Sequence, residues 1–147
     1  MPIYHTTIPA SYLILKQENK ILLIRRLNTG YEDGNYSMIS GHLDPGEKFS
    51  EAIVREAKEE AGITIDPKDL KIVHLMHRKK PNGVEIIDAF FITEKWTGIP
   101  ENKEPHKCDD FAWFDLDHLP ENLIHCLKVM LEDVQNNIFF SEYGWAE

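Results

Sequence analysis

A mixed β-sheet covered by helices is the fold class this sequence predicts, and three observations predict it. β-rich runs outnumber helical ones. The two segments with a helical apolar period, near residues 50–61 and 122–138, are interleaved with strands rather than gathered at one end. That order favours helices packed on a sheet. No repeat or low-complexity linker divides the 147 residues. They are therefore read as one domain, 1–147, long enough to bury a core without staples.

The elements follow in order. Thr7 to Lys16 and KILLIRR (Lys20 to Arg26) are β-rich, with Gln17-Glu18-Asn19 as the hairpin turn. The polar loop LNTGYEDGN leads to a short strand, YSMIS (36–40), and the chain then loops through Pro45-Gly46. Ser50 suits the N-cap of a helix running to Ala61, and Gly62 suits its stop. Two long strands, LKIVHLMHR (70–78) and VEIIDAFFITEKW (84–96), flank the turn signal Pro81-Asn82-Gly83. His74 and His77, three apart on a strand, fall on opposite faces and are read as structural. After the loop GIPENKEPHKCDD come a short strand, FAWFDL (111–116), and an amphipathic helix over 122–138. Leu123, Leu127, Met130 and Leu131 lie on one face of that helix. Phe139, Phe140, Tyr143 and Trp145 exceed what a solvated tail needs; they pack on the sheet or join a homodimer.

Composition sets the limits on partners. Hydrophobic residues at 42% and charged residues at 28% are an ordinary globular balance, but the formal net charge is −9. That charge argues against nucleic acid or an anionic membrane as the main partner. A polyphosphate ligand stays open, because local cations or a bound metal can invert the field at one site. Cys108 and Cys126 form neither a disulfide framework nor a zinc spacing, as expected of reduced thiols in a cytoplasmic protein. The first twenty residues lack a basic start followed by a long apolar run, so neither a signal peptide nor a transmembrane span is expected.

The helix after Pro45-Gly46 poses a problem. Phe49, Ile53, Ala57 and Ala61, with Val54 beside them, make an apolar line that can face the sheet. Glu56, Glu59 and Glu60 then share another face, with Arg55 one turn before Glu59. Like charges so spaced repel. At ~5 Å and an effective dielectric of 20 the cost is about 3 kcal/mol per pair. A solvated acidic surface is the bland explanation. Against it stand Gly41 and Gly46, which give the preceding loop a specific shape, Glu47, which closes that loop, and the small Ala57 and Ala61, which allow close helix–sheet approach. A cation among the carboxylates removes the repulsion, and hard oxygen ligands suit Mg²⁺ or Mn²⁺.

Gly41, five residues, Glu47, seven residues, then Arg55-Glu56-Ala57-Lys58-Glu59-Glu60-Ala61-Gly62-Ile63 resembles the Nudix box with every defining position filled. The flanking hairpin, Arg25-Arg26 at its end and the segment Trp113 to Pro120 extend the resemblance to roughly the whole chain. The resemblance implies an α/β/α sandwich with a central mixed sheet. It also implies metal-dependent hydrolysis of a nucleoside diphosphate linked to another group. By the same resemblance Glu56, Glu59 and Glu60 are metal ligands, joined by the backbone carbonyl of Ser40, where many relatives have glycine. Arg55 orients the carboxylates, Glu47 supports the loop or the outer metal shell, and Arg26 holds phosphate with Arg25 on the opposite strand face. Glu56 is the first expectation for the general base and Glu59 the second. His42, beside the metal loop, is expected to touch phosphate.

The later loop bears on the substrate. Asn102-Lys103-Glu104-Pro105-His106-Lys107-Cys108 resembles a segment of Nudix nucleoside-triphosphate pyrophosphohydrolases, some acting on oxidised guanine nucleotides. Glu104 is thereby expected to approach the metal. The upstream LNTGYEDGNYSMISGHLDPGE resembles Nudix proteins of unsettled specificity. Where subfamilies for ADP-ribose or dinucleoside polyphosphates carry a proline or tyrosine, this chain has Arg78-Lys79-Lys80, with Pro81 slightly late. The leading expectation is cleavage of a nucleoside triphosphate to monophosphate and pyrophosphate. The alternatives are a pyrophosphatase of nucleoside diphosphate sugars and a binding module without turnover; the latter should tolerate loss of the acids, and here all are present.

Overall fold

The structure, a computed structural model, describes residues 1–146. It contains eight strands and two α-helices: β1 (Ile8–Gln17), β2 (Lys20–Arg26), β3 (Tyr36–Ser37), β4 (Ile39–His42), α1 (Phe49–Ala61), β5 (Lys71–Lys79), β6 (Glu85–Thr93), β7 (Cys108–Asp115), α2 (His125–Gln135) and β8 (Phe140–Tyr143). The sheet is mixed. β1 pairs parallel with β6 and antiparallel with β4, and β5 pairs antiparallel with β6. β2, joined to β1 through a two-residue turn, carries β3 and β7.

Strand alternation decides which helix each residue meets. Leu13, Leu15, Leu22 and Phe91 point to the face covered by α1, where Ile53, Ala57 and Ala61 pack. Ile14, Ile21, Leu23 and Phe90 point to the other face, where Leu127 and Met130 of α2 pack. Two helices on opposite faces make an α/β/α sandwich. Ala57 and Ala61 are fully buried, so α1 lies close against the sheet.

Several boundaries differ from expectation for local reasons. Ser50 is not the N-cap: α1 begins at Phe49, and Glu51 reaches back to accept a hydrogen bond from the Lys48 N–H at 2.8 Å. The expected strand 36–40 divides at the buried Met38. Tyr36–Ser37 pairs with β2, whereas Ile39–His42 pairs with β1. α2 starts later than expected, because the Tyr36 N–H donates to Asn122 and the Ile124 N–H donates to Tyr36, holding residues 122–124 extended against β3. Of the two expectations for the C-terminal aromatics, packing on the sheet describes Phe140 and Tyr143, which belong to β8, a strand the sequence pattern did not predict, parallel to β5. His74 is fully buried on the α2 face, its ring nitrogens 2.9 Å from the Ile138 carbonyl and 2.8 Å from the Ser141 hydroxyl, whereas His77 meets Trp145. Among the described residues no helix is long and apolar enough to cross a membrane.

Candidate active site

α1, β4, the end of β2 with the loop after it, and the loop before β7 meet around a cleft of about 410 Å³. Glu56, Glu59, Glu60 and Glu104 line it together with Ser40, Arg26 and Lys107. Residues far apart in sequence thus line one cleft with four carboxylates and two cations, Lys107 lying 3.9 Å from Glu104.

The wall is built on α1. Arg55 is its organiser, donating to both oxygens of Glu47 (Nε 2.8 Å, Nη2 3.0 Å), to Glu56 Oε1 at 2.7 Å and to the His42 carbonyl at 3.2 Å. Its contact with Glu59 is looser, at 3.5 Å. Glu47 also accepts from the Asp44 N–H at 2.8 Å, so it closes the loop rather than lining the cleft. Hydrogen bonding from Arg55 lowers the Glu47 carboxyl to about 2, and the same contact raises the Arg55 guanidinium. Such charge-assisted, bidentate pairing fixes geometry as well as energy.

Gly41 is small for a reason of space. A Cβ there would collide with the Glu56 carboxylate, lying 2.8 Å from its Cγ, so the β4 backbone and the acid share room that only glycine leaves. The neighbouring Ser40 N–H donates to Glu60 Oε2 at 3.2 Å.

Glu56 and Glu60 lie within hydrogen-bonding reach of each other. Burial, and then the Glu56 charge, raises the Glu60 carboxyl well above its ordinary value. Burial raises Glu56 as well, against the opposing contacts of Glu60 and Arg55. Two facing carboxyls in a half-dry cleft therefore resist ionising together unless positive charge enters. Among the described residues, no three acidic, histidine or cysteine side chains yet converge as a finished metal shell. The donor set is nonetheless all hard oxygen with unbalanced negative charge, which fits a divalent cation such as Mg²⁺ or Mn²⁺.

Glu104 reaches this wall through a loop tied at several points. The N–H groups of Glu101 and Lys103 donate to the carbonyls of Ala61 and Glu60, satisfying the C-terminus of α1. Asn102 spans the loop, donating to the Cys108 carbonyl at 2.8 Å and accepting from the Glu104 N–H at 3.1 Å. The Leu27 N–H donates to Lys107, binding the loop to the end of β2.

The remaining expected residues divide. Arg26 lines the cleft, anchored by donation to the Tyr31 carbonyl at 2.6 Å and to Thr29 Oγ1 at 3.0 Å. Arg25 does not: it pairs with Asp109 at 2.7 Å and lies over the Tyr36 ring, which accounts for its position away from the cleft. His42 faces a second pocket beside the first. The sequence pattern missed Asn28, Thr29, Asn102 and Lys107 as lining residues; no spacing rule joins two separate loops.

Comparisons with known proteins agree with this arrangement. A family model described as NUDIX domain matches residues 6–134. The chain is similar to an ADP-ribose pyrophosphatase of Methanocaldococcus jannaschii, 35% identical over 108 residues, covering 74% of this chain and 62% of that protein. It is also similar to an 8-oxo-dGTP diphosphatase of Escherichia coli strain K12, 29% identical over 92 residues, covering 63% of this chain and 69% of that protein. Among solved structures, a MutT NUDIX hydrolase from Burkholderia pseudomallei superposes with a TM-score of 0.80 at 26% identity, covering 87% of this chain and 98% of that one. The chain spans about three-fifths to two-fifths of the length of the first curated relatives it matches.

Proposed function

The chain belongs to the Nudix family, and from that premise we propose that it is a metal-dependent pyrophosphohydrolase cleaving nucleoside triphosphates to the monophosphate and pyrophosphate. The observation that carries this reading is the meeting of Glu56, Glu59, Glu60 and Glu104 with Arg26 and Lys107 in the lining of one cleft. Acids and cations lining the same cleft suit a polyanion that is held at both its metal-facing and its free oxygens.

Glu56, Glu59, Glu60, Glu104 and the Ser40 carbonyl would hold the divalent ion. When bound, that ion neutralises the diphosphate and lowers the pKa of water. Arg55 keeps Glu56 oriented and is itself held by Glu47. Arg26 and Lys107 bind non-bridging phosphate oxygens, which positions the phosphorus for attack from the acidic side. A water oxygen bonds to that phosphorus, the bridging P–O bond breaks, and its electron pair leaves with pyrophosphate. Glu59 accepts the water proton in this reading, because it is the most exposed of the three α1 acids that line the cleft and the least engaged, whereas Glu56 is committed to Arg55 and Glu60.

A second reading, cleavage of a nucleoside diphosphate joined to a sugar, is favoured by the relative named ADP-ribose pyrophosphatase. One experiment separates the two. Canonical and oxidised triphosphates, ADP-ribose and nucleotide sugars are offered with Mg²⁺, and products are identified by phosphorus NMR. Monophosphate and pyrophosphate from a triphosphate are expected, with Glu56→Gln lowering turnover by about 10²-fold or more while circular dichroism is kept. Intact triphosphates beside a cleaved sugar conjugate would transfer the assignment to the second reading. Comparable turnover by folded Glu56→Gln would remove both.

A further inference from the structure

The loop between β2 and β3 brings Asn28 and Thr29 to the cleft, and its backbone is strained. Asn28 and Glu32 each take left-handed backbone at φ +53°, beside Gly30 at +81° and Gly34 at +88°. Residues with side chains hold that conformation only where surrounding contacts enforce it. The base of the loop is closed by two bonds. The Arg26 N–H donates to the Asn35 carbonyl at 2.9 Å, and the Gly34 N–H donates to the Arg26 carbonyl at 2.8 Å.

The interior of the loop is organised by Asp33. Its carboxylate accepts from the Thr29 N–H at 3.0 Å, the Gly30 N–H at 2.9 Å and the Thr29 hydroxyl at 2.6 Å. These donors, the hydroxyl first, hold the Asp33 carboxyl below its ordinary value. A threonine hydroxyl has one proton to give and two lone pairs to offer. The Tyr31 carbonyl, 3.0 Å away, competes for that proton, but it is neutral and already accepts from Arg26 Nε at 2.6 Å. The charged acceptor at 2.6 Å wins. With its proton turned to Asp33, the Thr29 oxygen accepts from Arg26 Nη2 at 3.0 Å. Among the described residues these contacts occupy two of the five N–H donors of the Arg26 guanidinium, and the others remain for an anion.

We propose that Asp33, which does not itself line the cleft, is a positioning residue: through Thr29 it fixes the Arg26 guanidinium that binds the substrate's phosphate oxygens. The inference rests on the reading of Arg26 as a phosphate-binding residue of the hydrolytic site.

The test is a double-mutant cycle on the full chain with Mg²⁺, using the nucleotide that the wild type cleaves fastest. Asp33→Ala should lower kcat/KM about tenfold, the worth of one charge-assisted contact. In the Arg26→Ala background the same change should cost less than about twofold, because Asp33 acts through Arg26. Thr29→Val, the milder change, keeps the two backbone bonds to Asp33 and should lose about as much as Asp33→Ala. Glu32→Gln, in the same loop but bonded to Asn35 instead of Thr29, should match the wild type. A second readout needs no substrate. The Arg26 Nε–H signal, identified by NMR through its loss in Arg26→Lys, should exchange with water about tenfold faster in Asp33→Ala. Additive losses in the cycle, full activity of folded Asp33→Ala and Thr29→Val, or unchanged exchange at Arg26 would each overturn the proposal. A wild type that cleaves no nucleotide would overturn the hydrolytic reading and, with it, a role in phosphate positioning.

Discussion

Arg55 is the residue on which the geometry of the acidic helix turns. It binds Glu47, Glu56 and the His42 carbonyl at once, joining the loop before α1 to the helix and to β4. Its partner Glu47 carries the clearest pH signature. The hydrogen bond from Arg55 lowers Glu47 to about 2 from an ordinary 4.5. A depressed carboxyl adds stability that is complete above its unfolded value and lost as pH falls through the folded one. The Glu47 contribution is therefore expected to be full above pH 4.5 and to fade towards about 2. Urea midpoints of wild type and Glu47→Gln should differ at neutral pH and converge as pH falls to about 2. A gap that persists unchanged into acid would contradict this role.

At the scale of elements, the loop 101–107 acts as a strap between the end of α1 and the end of β2. Its side-chain tie to the start of β7 is Asn102, whose amide donates to Cys108 and whose oxygen accepts from Glu104. Asn102→Ala removes both contacts while the backbone bonds to Ala61 and Glu60 remain. The expected stability loss is about 1–3 kcal/mol, two side-chain hydrogen bonds at their usual net worth. Activity should fall further than stability alone explains, because Glu104 loses its fixed approach to the cleft. Hydrogen exchange should quicken at Glu104 and Lys107 but not within α1. Unchanged exchange in the strap would refute the tie. The resemblance of Asn102 to Cys108 to a known segment was legible in sequence; the reason for its spacing, an amide closing a six-residue gap, was not.

For the whole molecule, the acidic cleft is a reserve of unfavourable charge, with half-buried Glu60 facing Glu56. Relieving that repulsion should stabilise the protein, and a ligand that binds only the folded state does so by mass action. Mg²⁺ at about 100 times its dissociation constant should add about 2.7 kcal/mol of stability, seen as a higher Tm. Glu60→Gln should raise Tm without metal and lose most of the Mg²⁺-dependent gain, the trade expected where function keeps like charges together. A lower Tm for Glu60→Gln in EDTA, or an undiminished response to Mg²⁺, would count against the cluster as a cation site.

The sequence by itself determined the fold class, both helices, the hairpins and the grouping of three glutamates beside an arginine. These are local matters: apolar period, turn residues and the spacing of a helix face act over a few residues. Tertiary structure decided the rest. It turned Arg25 away to Asp109 while keeping Arg26 at the cleft, and it divided 36–40 between two strands. It made a strand, β8, from the C-terminal segment whose aromatics were expected to pack on the sheet or join a homodimer, and it set Lys80 beside Arg26 across 54 positions of chain. Such pairings depend on strand register and on which face a side chain takes, and one residue of slip reverses the face. No window of neighbouring residues contains that information.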